Sequence, residues 1–370
     1  MMMSVYKIKD GIKKLYERGE KGRSESFETL KELFEEFQNF YKDKKDLSKS
    51  ENAETIYQEI RGVLSKISYK KEDVEELVKN IYGDATLAGI YISALINNFV
   101  EKMKEEYYKI GNIIESLLKD YYKNRPIIDK LIKELKEKEN IKFVLKPNLK
   151  LNYLGYKLDG GKDIKIEIYV IGNCGDYVGK NMKSGRIVVE KNCGNHVGKN
   201  NEGGTIIVEG SAGNYVGNNM KSGRIVVKKN CGNYVGENMS GGNIEVGGNV
   251  KDFAGFGMSG GSIVVYGNCG NYPGYMMSGG SMKIYENADY KVGESMRGGI
   301  MEIGGYVNDI GNLEGGIIRV GKVNYSINEN MKGGEIYTIK WSGALKNVRN
   351  KGGKIYVWKG GKKIEIQQRG

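Results

Sequence analysis

SAGNYVGNNMKSGRIVV, running from Ser211 to Val227, is one copy of a frame that returns every 19 residues. Its methionine slot holds Met182, Asn201, Met220, Met239, Met258, Met277 and Met296. The glycine three places later is Gly185, Gly204, Gly223, Gly242, Gly261, Gly280 and Gly299. Looser copies follow at Leu313/Gly316, Met331/Gly334 and Asn350/Gly353. A unit this short cannot bury an apolar face alone, so the copies must stack to make a core. After each glycine the residues alternate: Ile225 and Val227 point one way and Val226 the other. The inward pair recurs as Ile187/Val189, Ile206/Val208, Ile244/Val246, Ile263/Val265, Met282/Ile284 and Met301/Ile303. A period of two with one face buried is a strand. So much Gly and β-branched residue excludes helix, and the scarcity of Leu between Ile171 and Asn312 excludes leucine-rich repeats. A strand-rich turn of this length fits one coil of a parallel β-helix, with about ten coils stacked about 4.8 Å apart. Right-handed crossovers are expected on general grounds.

Several slots invite a chemical reading and have a plainer one. Cys174, Cys193, Cys231 and Cys269 share a slot that elsewhere holds Ala212, Val250 and Ala288, so a small buried side chain is expected there rather than a metal or disulfide set. Two polar ladders, one through Asn173, Asn192, Asn230, Asn249, Asn268 and Asn287 and one through Asp176, Asn195, Asn214, Asn233, Asp252 and Asn271, should bond along the stacking direction. An aromatic line follows at Tyr177, His196, Tyr215, Tyr234, Phe253 and Tyr272, and the chain's one histidine only fills a tyrosine slot. Gly255–Gly260 matches a dinucleotide fingerprint and Gly257–Gly261 a nucleophile elbow around Ser259. Both need a strand-to-helix turn that the repeat does not supply. Of Asp176, Glu190, Glu202, Glu209, Glu237, Glu245 and Asp252, only Asp176/Asp252 and Glu190/Glu209 share slots with one another, too little for a paired-carboxylate site. No catalytic, cofactor-binding or metal-ligating residue is assigned.

One exposed slot is less bland. The outward residue between each inward pair reads Val188, Ile207, Val226, Glu245, Val264, Lys283, Glu302 and Arg319. An apolar stripe on a solvent face usually marks a contact surface, so Val188, Ile207, Val226 and Val264 are the candidate interface.

The rest of the chain reads differently. Gly is sparse and charge dense before residue 141, which sets an α-helical domain at 1–140, lead-in strands at 141–171 and a β-helix at 172–370. Helices are expected over Phe27–Tyr41 with Ser24 as cap, Thr55–Ile67, Glu72–Tyr82 and Thr86–Tyr122, and over Ile127–Glu139 with Pro126 opening it. Ile141–Leu145 and Ile164–Val170 should be strands. The stretch Ala85–Val100 is uncharged but short of the roughly 20 residues of a membrane span, and reads as a buried helix. Net charge is +12, spread over variable slots without clustered Arg, which argues against a nucleic-acid partner. The opening MMMSVYKIKDGIKK has no apolar stretch, so no secretory leader is expected, and unbridged Cys suits a reducing cytosol. Abundant Lys, Glu and Ile hint at a heat-adapted, archaeal-like host.

The strings GDYVGKNMKSG (Gly175–Gly185), GNHVGKNNEGG (Gly194–Gly204), GNYVGENMSGG (Gly232–Gly242) and GNYPGYMMSGG (Gly270–Gly280) resemble the GXGXG β-helix family. That family includes the C-terminal domain of the glutamate synthase large subunit and the GXGXG-bearing subunit of formylmethanofuran dehydrogenases. The resemblance covers about residues 172–320. It implies a right-handed β-helix without catalytic residues that holds catalytic domains or subunits in place. The expectation is an α+β multidomain chain acting as a cytosolic, non-catalytic scaffold for protein subunits of a redox or amidotransfer complex. The alternatives are a β-helix hydrolase or carbohydrate-acting enzyme and a self-assembling structural homo-oligomer, with the Lys-rich copy Lys351–Gly370 as the cap that prevents self-assembly.

Overall fold

The computed structural model describes residues 25–41, 50–65, 67–118, 121–327, 331–341, 352–359 and 362–366. The chain divides into two compact units, Met1–Gly175 with Lys183–Val188, and Asp176–Met182 with Val189–Gly370. Five helices belong to the first unit: α1 Glu25–Tyr41, α2 Ser50–Leu64, α3 Lys71–Asn80, α4 Ala85–Leu117 and α5 Tyr121–Glu139. Strands β1 Asn140–Leu145 and β2 Lys165–Val170 follow and pair in parallel, Ile141 opposite Ile166 and Phe143 opposite Ile168. Ser24 lies outside the described residues.

Helix α4 is the axis of this unit. Asp84 caps it, its Oδ1 accepting the Thr86 and Leu87 N–H groups at 2.8 Å. From Leu87 to Asn98 every residue is buried, as expected of the uncharged stretch. Gly89 lets the backbone of Asn152 approach, since a Cβ there would stand 1.6 Å from its carbonyl oxygen. Buried polar groups are answered: Asn97 Nδ2 donates to Tyr57 Oη at 2.6 Å and to the Tyr156 carbonyl at 2.9 Å. Leu30, Leu33, Phe34, Phe37 and Tyr41 of α1 are all buried, the apolar face that their spacing predicts. Three boundaries are corrected. Helix α2 starts at Ser50 instead of Thr55, and helix α4 ends at Leu117 instead of running to Tyr122. Helix α5 begins at Tyr121, so Pro126 lies inside it instead of opening it. There Pro removes one N–H and leaves one carbonyl without its helical donor, a loss that the second turn of an exposed helix can tolerate. No helix among the described residues is long and apolar enough to cross a membrane.

The repeat forms the expected parallel β-helix, in about nine turns. Its strands are β3 Arg186–Val189, β4 Thr205–Val208, β5 Arg224–Val227, β6 Asn243–Val246, β7 Ser262–Val265, β8 Ser281–Ile284, β9 Ile300–Ile310, β10 Ile317–Ile327, β11 Glu335–Trp341, β12 Lys354–Lys359 and β13 Lys362–Glu365. In the second unit each of β4 to β11 pairs in parallel with the next, and β13 turns back antiparallel on β12. The Ile and Val inward pairs are at most 3 % exposed, so the period-two reading places the core correctly. The two marker slots explain each other. Each methionine lies under the glycine of the following coil: a Cβ on Gly242, Gly261, Gly280 or Gly299 would stand 2.6–2.7 Å from the Cε of Met220, Met239, Met258 or Met277. Beyond Ile300 the coils shorten. Ile300 faces Ile317 and Ile317 faces Glu335, and β9 and β10 run extended through the bend that earlier coils make.

At the turns, Tyr177, His196, Tyr215, Tyr234, Phe253 and Tyr272 all have φ between 57° and 62°. Bulky residues seldom adopt this left-handed conformation, which costs about 1–2 kcal/mol each. Two bonds offset it. Each N–H donates to a carbonyl of the next coil, as Tyr215 does to Asn233 at 2.8 Å. The rings also stack at 4.7–4.9 Å with interplanar angles of 2–8°, each pair contributing about 0.5–1.5 kcal/mol. The polar ladders do run along the stacking direction, but chiefly from side chain to backbone: Asn195, Asn214 and Asn233 Oδ1 accept the N–H of the same slot one coil on, at 2.8–3.0 Å.

Two residues interrupt these ladders and predict measurable effects. Burial, aided by Lys199 and Lys180 against the pull of Asp176, lowers the His196 imidazole to about 4 from an ordinary 6.5. The folded state therefore binds a proton less readily than the unfolded chain, and stability falls as pH drops from about 6.5 to about 4. His196→Tyr should abolish that part of the decline when melting temperature is followed against pH. Asn201 stands fully buried in the methionine slot with its Nδ2 unbonded. Asn201→Met should stabilise the protein by about 1–2 kcal/mol in denaturant unfolding; an unchanged or lowered midpoint would refute this account.

Candidate functional site

The outward residues form one continuous row. Strand register aligns Ile207, Val226, Glu245, Val264, Lys283 and Glu302 across β4 to β9, and Arg319 and Tyr337 continue it on β10 and β11. Of the four candidate interface residues, Ile207 and Val226 stand side by side on neighbouring strands. Glu245 separates them from Val264, and Val188 lies on β3 in the first unit. Val226 is only 7 % exposed and Val188 6 %, more covered than a solvent-facing row leads one to expect. Part of the cover is electrostatic hardware. Arg224, two residues before Val226 on the same face, holds Glu245 of the next strand with Nη2 at 2.8 Å and Nε at 3.0 Å. Its stem therefore crosses the sheet beside Val226. Arg319 and Glu302, directly opposite on β10 and β9, pair further along through one contact at 3.3 Å. Such exposed pairs add little stability and chiefly decide which surface can approach.

A second set of residues extends the apolar patch and escaped the sequence reading. Tyr266 and Tyr285 follow Val264 and Lys283 by two positions, so they share the outer face. They are 49 % and 48 % exposed and stack on each other at 5.0 Å. Lys283 places its ammonium 4.7 Å from the Tyr285 ring centre. The signal was present as two tyrosines in equal register on adjacent copies, at a slot that Gly247 and Gly304 fill elsewhere.

The remaining candidates resolve into structure. All four cysteines are buried and unbridged. Burial pushes the Cys231 thiol up to about 12 and Cys269 higher still, so neither supplies a thiolate at neutral pH. No group of three or more His, Cys, Asp or Glu among the described residues could hold a metal ion. Ser259 is exposed and leads into strand β7 instead of a helix, so neither glycine motif around it has the geometry its chemistry requires. The aromatic line keeps its ring faces against one another, which leaves edges and not faces for a sugar or a base to stack upon.

A family model described as the GXGXG motif matches residues 162–274. No curated protein matches the sequence. The matched span holds most of the 19-residue coils and stops before the coils that shorten beyond Ile300. By sequence match and by coil geometry alike, residues 162–274 are a GXGXG-repeat segment of a parallel β-helix.

Proposed function

We propose that this chain is a non-catalytic assembly scaffold, a β-helix whose outer sheet face seats a partner protein in the cytosol. The observation that carries the reading is a partly exposed apolar set on this face: Ile207 and Val264, half-buried on aligned strands, with Tyr266 and Tyr285 about half exposed just past β7 and β8, beside the Arg224–Glu245 pair. A patch of this composition with a polar border has the anatomy of a protein interface. The GXGXG resemblance extends the proposal to membership of a redox or amidotransfer complex.

Two features favour contact through the face over end-to-end self-assembly. In the first unit the backbone of β1 is already engaged by α3: Val144 N–H donates to Glu75 at 2.8 Å, and Lys71 donates to the Lys142 carbonyl at 3.2 Å. In the second unit the last strand, β13, is antiparallel, wholly exposed and begins Lys362-Lys363. Both are ways of blunting an edge that would otherwise recruit another strand. The described part of this copy supports the cap role; residues 351, 360–361 and 367–370 lie outside the described residues.

The test is to isolate the native protein gently from its own cells and identify what accompanies it in stoichiometric amount. Redox or glutamine-handling subunits should co-purify with the natural protein. They should be lost from the Ile207→Glu/Val264→Glu double variant at unchanged melting temperature. A chain recovered alone, or a double variant that keeps its full complement, would overturn the proposal.

A further inference from the structure

The first unit holds an open cleft of about 1010 Å³ between the start of α3, the middle of α4, the second half of α5 and β1. Its floor is apolar. Tyr69 and Ile141 are buried, Phe99 and Met103 are half-buried, and Phe99 is fixed edge-on against Phe143 at 5.7 Å. Its walls are charged, with six lysines against three glutamates. Three of those lysines are already answered: Lys71 by Glu75 at 3.3 Å, Lys138 by Glu106 at 2.5 Å and Lys142 by Glu167 at 3.0 Å. Lys70, Lys130 and Lys133 are exposed and form no ion pair among the described residues.

The cleft does not end at β1. A second hollow of about 550 Å³ shares Asn140, Ile141 and Lys142 with it and runs along β2. It adds Lys162, Lys165 and Arg186 against a single new carboxylate, Glu167. Residues 1–150 as a whole carry 30 basic and 27 acidic side chains. That excess of three equals the excess of lysine over glutamate in the first cleft alone, so the cationic excess of residues 1–150 is gathered there.

We propose that this groove binds an extended acidic polypeptide segment of a partner, its carboxylates on the unpaired lysines and its apolar side chains on the Phe99–Met103 floor. The proposal rests on the scaffold reading and names the chemistry of one partner contact. Polynucleotides fit less well for three reasons. The groove carries a single arginine, Arg186, with Glu167 3.6 Å from its Nε, so it offers little of the forked phosphate grip that polynucleotides favour. The aromatic faces are covered, Tyr69 by the Lys102 ammonium at 5.4 Å. Four glutamates along the walls would face a continuous line of phosphates, whereas the spaced carboxylates of a peptide can alternate with them.

The experiment is fluorescence anisotropy on the full chain with a short labelled peptide of alternating Glu and Leu. A Lys/Leu peptide of equal length and a single-stranded oligothymidylate serve as competing probes. The Glu/Leu peptide should bind and weaken with added salt. It should lose about tenfold in affinity in the Lys130→Glu/Lys133→Glu variant, while Lys130→Arg/Lys133→Arg retains binding. Both positions are exposed, so melting temperatures should match the natural protein. Equal binding of the Lys/Leu peptide, tighter oligothymidylate binding lost in the same variant, or indifference to charge reversal would each overturn the assignment. If the groove fails while native subunits still co-purify, the scaffold reading stands without it. If the peptide binds but the native chain is isolated alone, the groove stands and the scaffold reading falls.

Discussion

The hydrogen bond from one coil to the next is the constraint on which the β-helix depends. Gly217 donates back to Val197 and Gly236 to Val216, while Tyr215 donates forward to Asn233 and Tyr234 to Asp252. Every coil is thus held from both sides at fixed register. A slip of a single residue would turn Ile225 and Val227 outward and bring Val226 inward. It would also part each methionine from its glycine and each ring from its neighbour. The left-handed aromatic turns make sense only in this setting. An isolated tyrosine at φ near 60° is strained, but a column of them shares its ring faces and turns local strain into registry.

What the sequence disclosed follows from the same periodicity. A side chain whose neighbours lie one repeat away leaves a trace in the spacing, and so the inward Ile/Val pairs, the methionine–glycine slots, the buried cysteines and the asparagine ladders could all be read. Contacts between distant, unrepeated segments leave no such trace. Glu75 meeting Val144 N–H, or Gly89 against the Asn152 carbonyl, joins residues about 60–70 apart by partners that nothing in the local pattern ties together. Pro126 misled because a rule about helix starts was applied where a helix had already begun, at Tyr121. Tyr266 and Tyr285 were missed for a different reason. The slot varies from copy to copy, with Gly247 and Gly304 on either side of the two tyrosines, so it leaves no repeat signature to read.

The interior of the β-helix is so uniform that function has little room there. Its core slots accept only what fits between two neighbouring coils, and Asn201 shows the consequence, a buried amide with an unbonded donor. Variation is tolerated only where the chain faces outward, and there the two units differ. The outer sheet face presents apolar side chains with most of its charges paired, Arg224 with Glu245 and Arg319 with Glu302, while Lys283 lies over the Tyr285 ring. The helical unit presents a groove in which Lys70, Lys130 and Lys133 stay unneutralised.

That contrast bears on how an assembly of this kind would choose its partners. An apolar face with paired charges gains its affinity from exclusion of water and discriminates weakly. A groove of unpaired cations does the reverse. It attracts at long range, loses strength with salt and rejects any like-charged segment. Neither surface alone is both tight and selective. On the proposed reading each surface would contribute what the other lacks: exclusion of water would supply affinity at the sheet face, and unpaired cations would supply discrimination in the groove.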